Sequence, residues 1–293
     1  MTARRMGLLV LTTALLLGLL AALALRDRPA REALGERRVA QGEAGSIAYF
    51  ASGQGGGAPV LLLPSFARSA SDFNELAAAL NQAGYRTLAV QSRGVDGSAL
   101  GHYGATLHDF ARDVVAVLKA EQVSVPATIV GHAFGNRVAR TVASDFPDRV
   151  GRLVLLSGGG EVPPPPEVSR AIQTGLFGFW SESSRRQAIA TAFFVKEDEV
   201  PPSWENGWYP LAGLVQAHAT AVTPFVQWGD GGHAPVLLVQ ALADRAAPAA
   251  IAHRLVERHP ARVTWHALEG AGHAMLPEQP GRIASAVLAF IRP

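Results

Sequence analysis

The feature that most constrains this chain is a five-residue turn, Gly131-His132-Ala133-Phe134-Gly135, set between an apolar run at residues 128–130 and an amphipathic stretch reaching about Phe146. A residue at the tip of a tight strand-to-helix turn is driven to positive φ. The positions two before and two after it then crowd together and must be small. Gly131 and Gly135 meet that demand. A non-glycine residue held in such a conformation costs about 1 to 3 kcal/mol, so the chain keeps a strained turn although its tip, Ala133, carries only a methyl group.

The surrounding pattern alternates between strand and helix. Val60-Leu61-Leu62-Leu63 is a short apolar run ended by Pro64; residues 71–83 show helical spacing through Phe73, Leu76, Ala79 and Leu80; residues 87–90 read as the next strand. Residues 106–119 form an amphipathic helix with Leu107, Phe110, Val114, Val117 and Leu118 on one face, and residues 153–156 are a further strand. Short apolar runs of this kind, separated by helices, belong to strands covered on both faces of a mostly parallel sheet. Gly158-Gly159-Gly160 and the prolines at 163–166 then interrupt the rhythm. Between residues 161 and 233 strand signals vanish, and Trp180, Trp204, Trp208 and Trp228, four of the five tryptophans, gather there. The rhythm resumes at Val236-Leu237-Leu238-Val239 and continues through a helix near 248–258, a strand at 263–268 and a helix from about Gln279 to Ile291. The expectation is a doubly wound α/β core over residues 44–160 and 234–293, with a helical cap inserted at 161–233 and a polar linker at 26–43.

Arg4 and Arg5 precede nineteen residues, 7–25, that carry no charge, and Arg26 follows. This reads as a signal peptide, with Ala22-Leu23-Ala24 as a small-x-small cleavage site, or as an N-terminal membrane anchor, since nineteen apolar residues also suffice to span a bilayer. The chain is therefore expected to be exported or anchored through residues 1–25. Cysteine is absent, which suits export without disulfides as well as a reducing compartment. The net charge of +2 comes from the seven arginines of the first 38 residues, so the body has no positive excess with which to grip phosphates, and nucleic acid is excluded as a partner.

Three segments together resemble the α/β-hydrolase superfamily: the turn at 131–135, Asp244 just after a late strand in LVQALADRAAP, and His273 in EGAGHAMLPEQP. Their order, turn then acid then histidine, is the one that superfamily uses. The resemblance covers about residues 44–293 and implies an α/β-hydrolase fold with Ala133 at the nucleophile position, Asp244 and His273 as acid and base, and the main-chain N–H groups of Phe134 and Phe66 as oxyanion donors. Where the superfamily usually has His-Gly before the second donor, this chain has Pro64-Ser65, which brings Ser65 near the site as a substrate contact, alongside His132 and Trp208. The turn itself resembles the GHALG of carbamate or aminoacrylate hydrolases, which also lack the serine.

An imidazole whose Nδ1–H is held by a carboxylate can take a proton from water as well as from serine. Loss of the hydroxyl costs a working triad about 10⁶-fold, while about 10³- to 10⁴-fold over water persists from oxyanion hole and binding. The expected reaction is thus the opening of an activated ester, lactone or carbamate-type bond by His/Asp-activated water, on a small molecule with an apolar group. Two alternatives stay open: a binding protein that kept the fold without turnover, and a serine esterase whose serine was replaced by alanine to trap substrate. A lyase or cofactor-independent oxygenase would use the same pair to take a proton from carbon. His102, His108, His132, His218 and His233 have no metal-ligand spacing and no glycine-rich phosphate loop follows the first strand, so neither metal nor cofactor is expected.

Overall fold

The computed structural model describes residues 3–292, with side chains from Thr13 onward. Met1, Thr2 and Pro293, which belong to the expected leader and core, lie outside the described residues. An eight-stranded sheet forms the centre: β1 (Glu36–Gly42), β2 (Gly45–Ser52), β3 (Val60–Leu63), β4 (Thr87–Val90), β5 (Ala127–His132), β6 (Val150–Leu156), β7 (Val236–Ala241) and β8 (Val263–Leu268), in the order β1-β2-β4-β3-β5-β6-β7-β8. β2 runs antiparallel to β1 and β4, and every other pairing is parallel. This is the α/β-hydrolase fold.

Each central strand is apolar on both sides and divides its residues between two layers. Leu61, Leu63, Leu88, Val90, Ile129, Leu153, Leu155 and Leu238 pack with α3 (Leu107–Ala120), α4 (Phe134–Asp145) and α10 (Ala249–Arg258). Val60, Leu62, Val130, Val154, Leu156, Leu237 and Val239 pack with α2 (Asn74–Gln82), α11 (Met275–Glu278) and α12 (Pro280–Ile291). Side chains alternate across a strand, so an unbroken apolar run is what two helical layers require. α3 begins with a reciprocal capping box, in which the Thr106 hydroxyl accepts from Asp109 N–H and the Asp109 carboxylate accepts from Thr106 N–H.

One expectation needs correction. Residues 26–43 are not simply a linker, because Glu36–Gly42 is an edge strand in full register with β2. Its partner β2, inside the expected core, has five of its eight residues buried. Gly42 and Gly45 close a tight hairpin, and Arg37 and Arg38 on β1 charge the sheet edge and masked its alternation.

Between β6 and β7 the cap holds α5 (Pro166–Leu176), α6 (Glu182–Phe193), α7 (Pro202–Glu205), α8 (Pro210–Val222) and α9 (Phe225–Trp228). α1 (Ala3–Ala24) precedes the sheet. Among the described residues no helix is long and apolar enough to cross a membrane; described side chains of α1 begin only at Thr13, about 18 Å of helix before its end.

Candidate active site

Ala133 stands where β5 hands over to α4, at φ 49° and ψ −104°. A methyl on Gly131 would strike the Gly135 carbonyl, and one on Gly135 would strike the Leu63 carbonyl of the neighbouring strand. The two glycines therefore allow α4 to start directly against β3. Ala133 N–H donates to the Leu156 carbonyl at 3.0 Å, and Asn136 Nδ2 reaches the carbonyls of both Ala133 and Ser157. The strained turn is held from both sides.

Asp244 follows β7 by three residues and His273 follows β8 by five, which brings both to the carboxyl edge of the sheet beside the turn. His273 Nδ1 lies 2.9 Å and 3.0 Å from the two Asp244 carboxylate oxygens. Asp244 also accepts the N–H groups of Ala246 and Ala247, at 2.9 Å and 2.7 Å. Burial by itself pushes the Asp244 pKa up, but the charge of His273 and these hydrogen bonds hold the carboxyl below its ordinary value. Asp244 is ionised at neutral pH and fixes the imidazole with Nδ1–H toward the acid, leaving Nε2 able to accept a proton.

A cavity of about 530 Å³ opens in front of this pair, lined by Ser65, Phe66, Ala133, Phe134 and His273 from the core and by Leu176, Phe193, Trp204 and Trp208 from the cap. The main-chain N–H groups of Phe66 and Phe134 have no hydrogen-bond partner among the described residues. The Ser65 hydroxyl, also without a protein partner, belongs to a residue only 3% exposed. The Phe193 ring stacks on His273 at 5.6 Å between centroids.

The expected site residues thus gather at one place, with one exception. His132, expected among the substrate contacts, is fully buried behind the turn, where its Nε2–H donates to the His273 carbonyl at 2.9 Å. Burial and the neighbouring His273 push its pKa down to about 3, so it remains neutral and props the loop carrying His273. Side chains alternate along β5, and the residue before the tip points back into the fold.

Sequence reading missed the clamp that joins core to cap. Ala67, at φ 54°, gives its N–H to Gln216 of α8 at 2.7 Å and accepts from Tyr209 N–H at 3.0 Å. Next to it Arg68 is buried, pairs with Asp72 at 2.6 Å, donates to the carbonyls of Ser203 and Asn206, and lies under the rings of Trp204 and Trp208. The (i, i+4) spacing of Arg68 and Asp72 was the available signal.

Comparison with known proteins agrees with this fold. The family model described as "Alpha/beta hydrolase family" matches residues 60–286. A relative in Variovorax paradoxus, named "Putative carbamate hydrolase RutD", is 29% identical over 241 residues, covering 77% of this chain and 88% of that protein. The enol-lactonase of Burkholderia xenovorans superposes with a TM-score of 0.74 at 20% identity, covering 87% of this chain and 99% of the other. A thermophilic esterase of Thermogutta terrifontis gives a TM-score of 0.73 at 19% identity, covering 88% and 98%.

Proposed function

The chain belongs to the α/β-hydrolase family, and from that premise we propose that it opens an activated ester, lactone or carbamate bond with water as the nucleophile. The observation that carries this reading is the braced His273–Asp244 pair facing the same cavity as a strained turn that bears no side-chain nucleophile. Nε2 of His273 takes a proton from water, the hydroxide adds to the carbonyl carbon, and the oxyanion is received by the free N–H groups of Phe66 and Phe134, the latter at the positive end of α4. Collapse of the tetrahedral intermediate expels the alcohol or amine, which recovers the proton from His273. The methyl of Ala133 leaves room for that water where a serine would stand. Activated bonds are the fitting substrates because the hole and the base remain while covalent catalysis is gone.

Retention of α1 as a membrane anchor is supported by the way its end is held. The Ala24 carbonyl accepts from Gly178 N–H at 3.1 Å, Arg28 pairs main chain to main chain with Trp208, and Arg28 also reaches the Leu176 carbonyl. Leu15, Leu16, Leu17 and Leu19 of α1 are more than half exposed, as are Phe179 and Trp180 of the cap next to its end.

The test is hydrolysis of p-nitrophenyl esters and lactones in ¹⁸O-labelled water by the native chain, His273→Ala and Ala133→Ser. Label should enter the acid product in a single turnover of the native chain, and His273→Ala should lose at least about a hundredfold in kcat. Turnover by Ala133→Ser alone, with none by the native chain, would refute the water mechanism.

A further inference from the structure

One turn beyond Ala133 on α4, the side chain of Arg137 lines the same cavity. Its guanidinium lies beside Gly160, where an added Cβ would come within 3.5 Å of both Cζ and Nε, and faces the Trp228 ring at 5.8 Å. No carbonyl, hydroxyl or carboxylate among the described residues accepts from it. The nearby acids are otherwise engaged: Glu161, on the cavity wall, pairs with Arg254 and Arg258, and Asp230 pairs with Arg258 and His259.

A turn further, Arg140 is buried while Arg137 is only partly so; Arg140 gives one hydrogen bond to the Gly158 carbonyl at 2.6 Å, leaves Nε unpartnered, and makes no ion pair among the described residues. Of the two, Arg137 lines the cavity and Arg140 does not, and neither makes an ion pair among the described residues. Burial pushes Arg137 down to about 10 and Arg140 to about 9, which still leaves both cationic at neutral pH. Holding a charge partly out of water without a partner is costly. A cation kept on a cavity wall at that cost matches a ligand that brings the missing anion, and the planar guanidinium suits a carboxylate bound through two parallel hydrogen bonds.

We propose that Arg137 is the subsite for a carboxylate on the substrate, so that the scissile bond is that of a half-ester, half-amide or lactone of a dicarboxylic acid. This rests on the hydrolytic reading above, which fixes where the scissile carbonyl sits. In a helix a long side chain leans back over the preceding turn, so the Arg137 guanidinium sits about one 5.4 Å turn or less from the level of Ala133. A short aliphatic linker between the two carbonyl groups spans that separation, and the apolar wall of Leu176 and Trp208 covers it.

The experiment compares mono-p-nitrophenyl succinate, glutarate and adipate with p-nitrophenyl butyrate, valerate and hexanoate of matched length, in the native chain, Arg137→Gln and Arg137→Lys. The readout is the ratio of kcat/KM for charged over neutral ester within each variant. The expected native ratio is at least about tenfold at the best length, falling roughly tenfold or more in Arg137→Gln, chiefly through KM, and partly kept in Arg137→Lys. A native ratio at or below one across the series, or a ratio indifferent to Arg137→Gln, overturns the subsite. A second arm reads Tm with millimolar glutarate or adipate. If no variant, Ala133→Ser included, cleaves any ester while adipate raises Tm of the native chain but not of Arg137→Gln, the hydrolytic reading falls and the subsite stands. If both ester series are cleaved alike and adipate shifts neither Tm, the subsite falls and the hydrolase stands.

Discussion

His132 shows how a residue inside a motif can serve the site without touching substrate. Its imidazole is neutral because burial and His273 hold its pKa near 3, whereas an unfolded histidine titrates near 6.5. Below pH 6.5 the unfolded chain binds a proton that the folded chain refuses, so stability falls on acidification through this window, approaching about 1.4 kcal/mol per pH unit from this residue alone, and levels off near pH 3. His132→Gln keeps an amide donor for the His273 carbonyl but does not titrate. Urea unfolding at pH 7, 5.5 and 4.5 should show a shallower acid slope for His132→Gln than for the native chain; parallel slopes would sink the assignment. Ala133, Asp244 and His273 were legible in the sequence because each sits just after an apolar strand. The position of His132 was not legible, since only the pleat of β5 decides which of two adjacent residues faces the cavity.

At the scale of elements, the loop after β3 is held in place by the cap. Arg68 joins that loop to α7 and to the turn before Trp208 through a buried pair with Asp72, two carbonyl contacts and two aromatic faces. Removing one partner strands a buried charge, which costs about 3 to 5 kcal/mol, while replacing both by apolar groups is often close to neutral. Arg68→Ala should therefore lower the unfolding free energy by about that amount, and Arg68→Met with Asp72→Leu should recover most of it. Activity should not recover in step, because the carbonyls of Ser203 and Asn206 then lose their donor and the Phe66 N–H loses its fixed aim. Chemical denaturation beside kcat for one ester separates the two effects; equal recovery of both would show that the clamp only stabilises. The central strands and the cap could be read from periodicity and tryptophan placement, since local pattern encodes them. The clamp partners lie 135 and 138 residues apart, beyond any local pattern. β1 was missed for a different reason, its outward side being charged as an edge strand requires.

Across the whole molecule, the proposed anchoring makes the leader and the cap one surface, since the end of α1 is bonded to the cap. The uncharged run at residues 7–25 is about 28 Å long as a helix, close to the hydrocarbon thickness of a bilayer, and Arg26 and Arg28 mark its end. At that end Gly178 is packed so closely on the Leu23 carbonyl that a side chain there would collide, and the exposed Phe179 and Trp180 follow it, residue types that would settle at the interface of a membrane anchored through α1. Leu176 and Phe177, two residues earlier, line the cavity, so an anchored chain would present its cap to the lipid headgroups and draw substrate from that layer. Cleavage after Ala24 would cut beside a carbonyl already bonded to the cap. The full chain should therefore sediment with membranes, resist extraction by high salt and alkaline carbonate, and be released by detergent, with intact mass showing residues 1–25 retained. A soluble form whose first residue is Leu25 would overturn anchoring and leave the hydrolytic site untouched, because no group that touches the reacting carbonyl comes from α1.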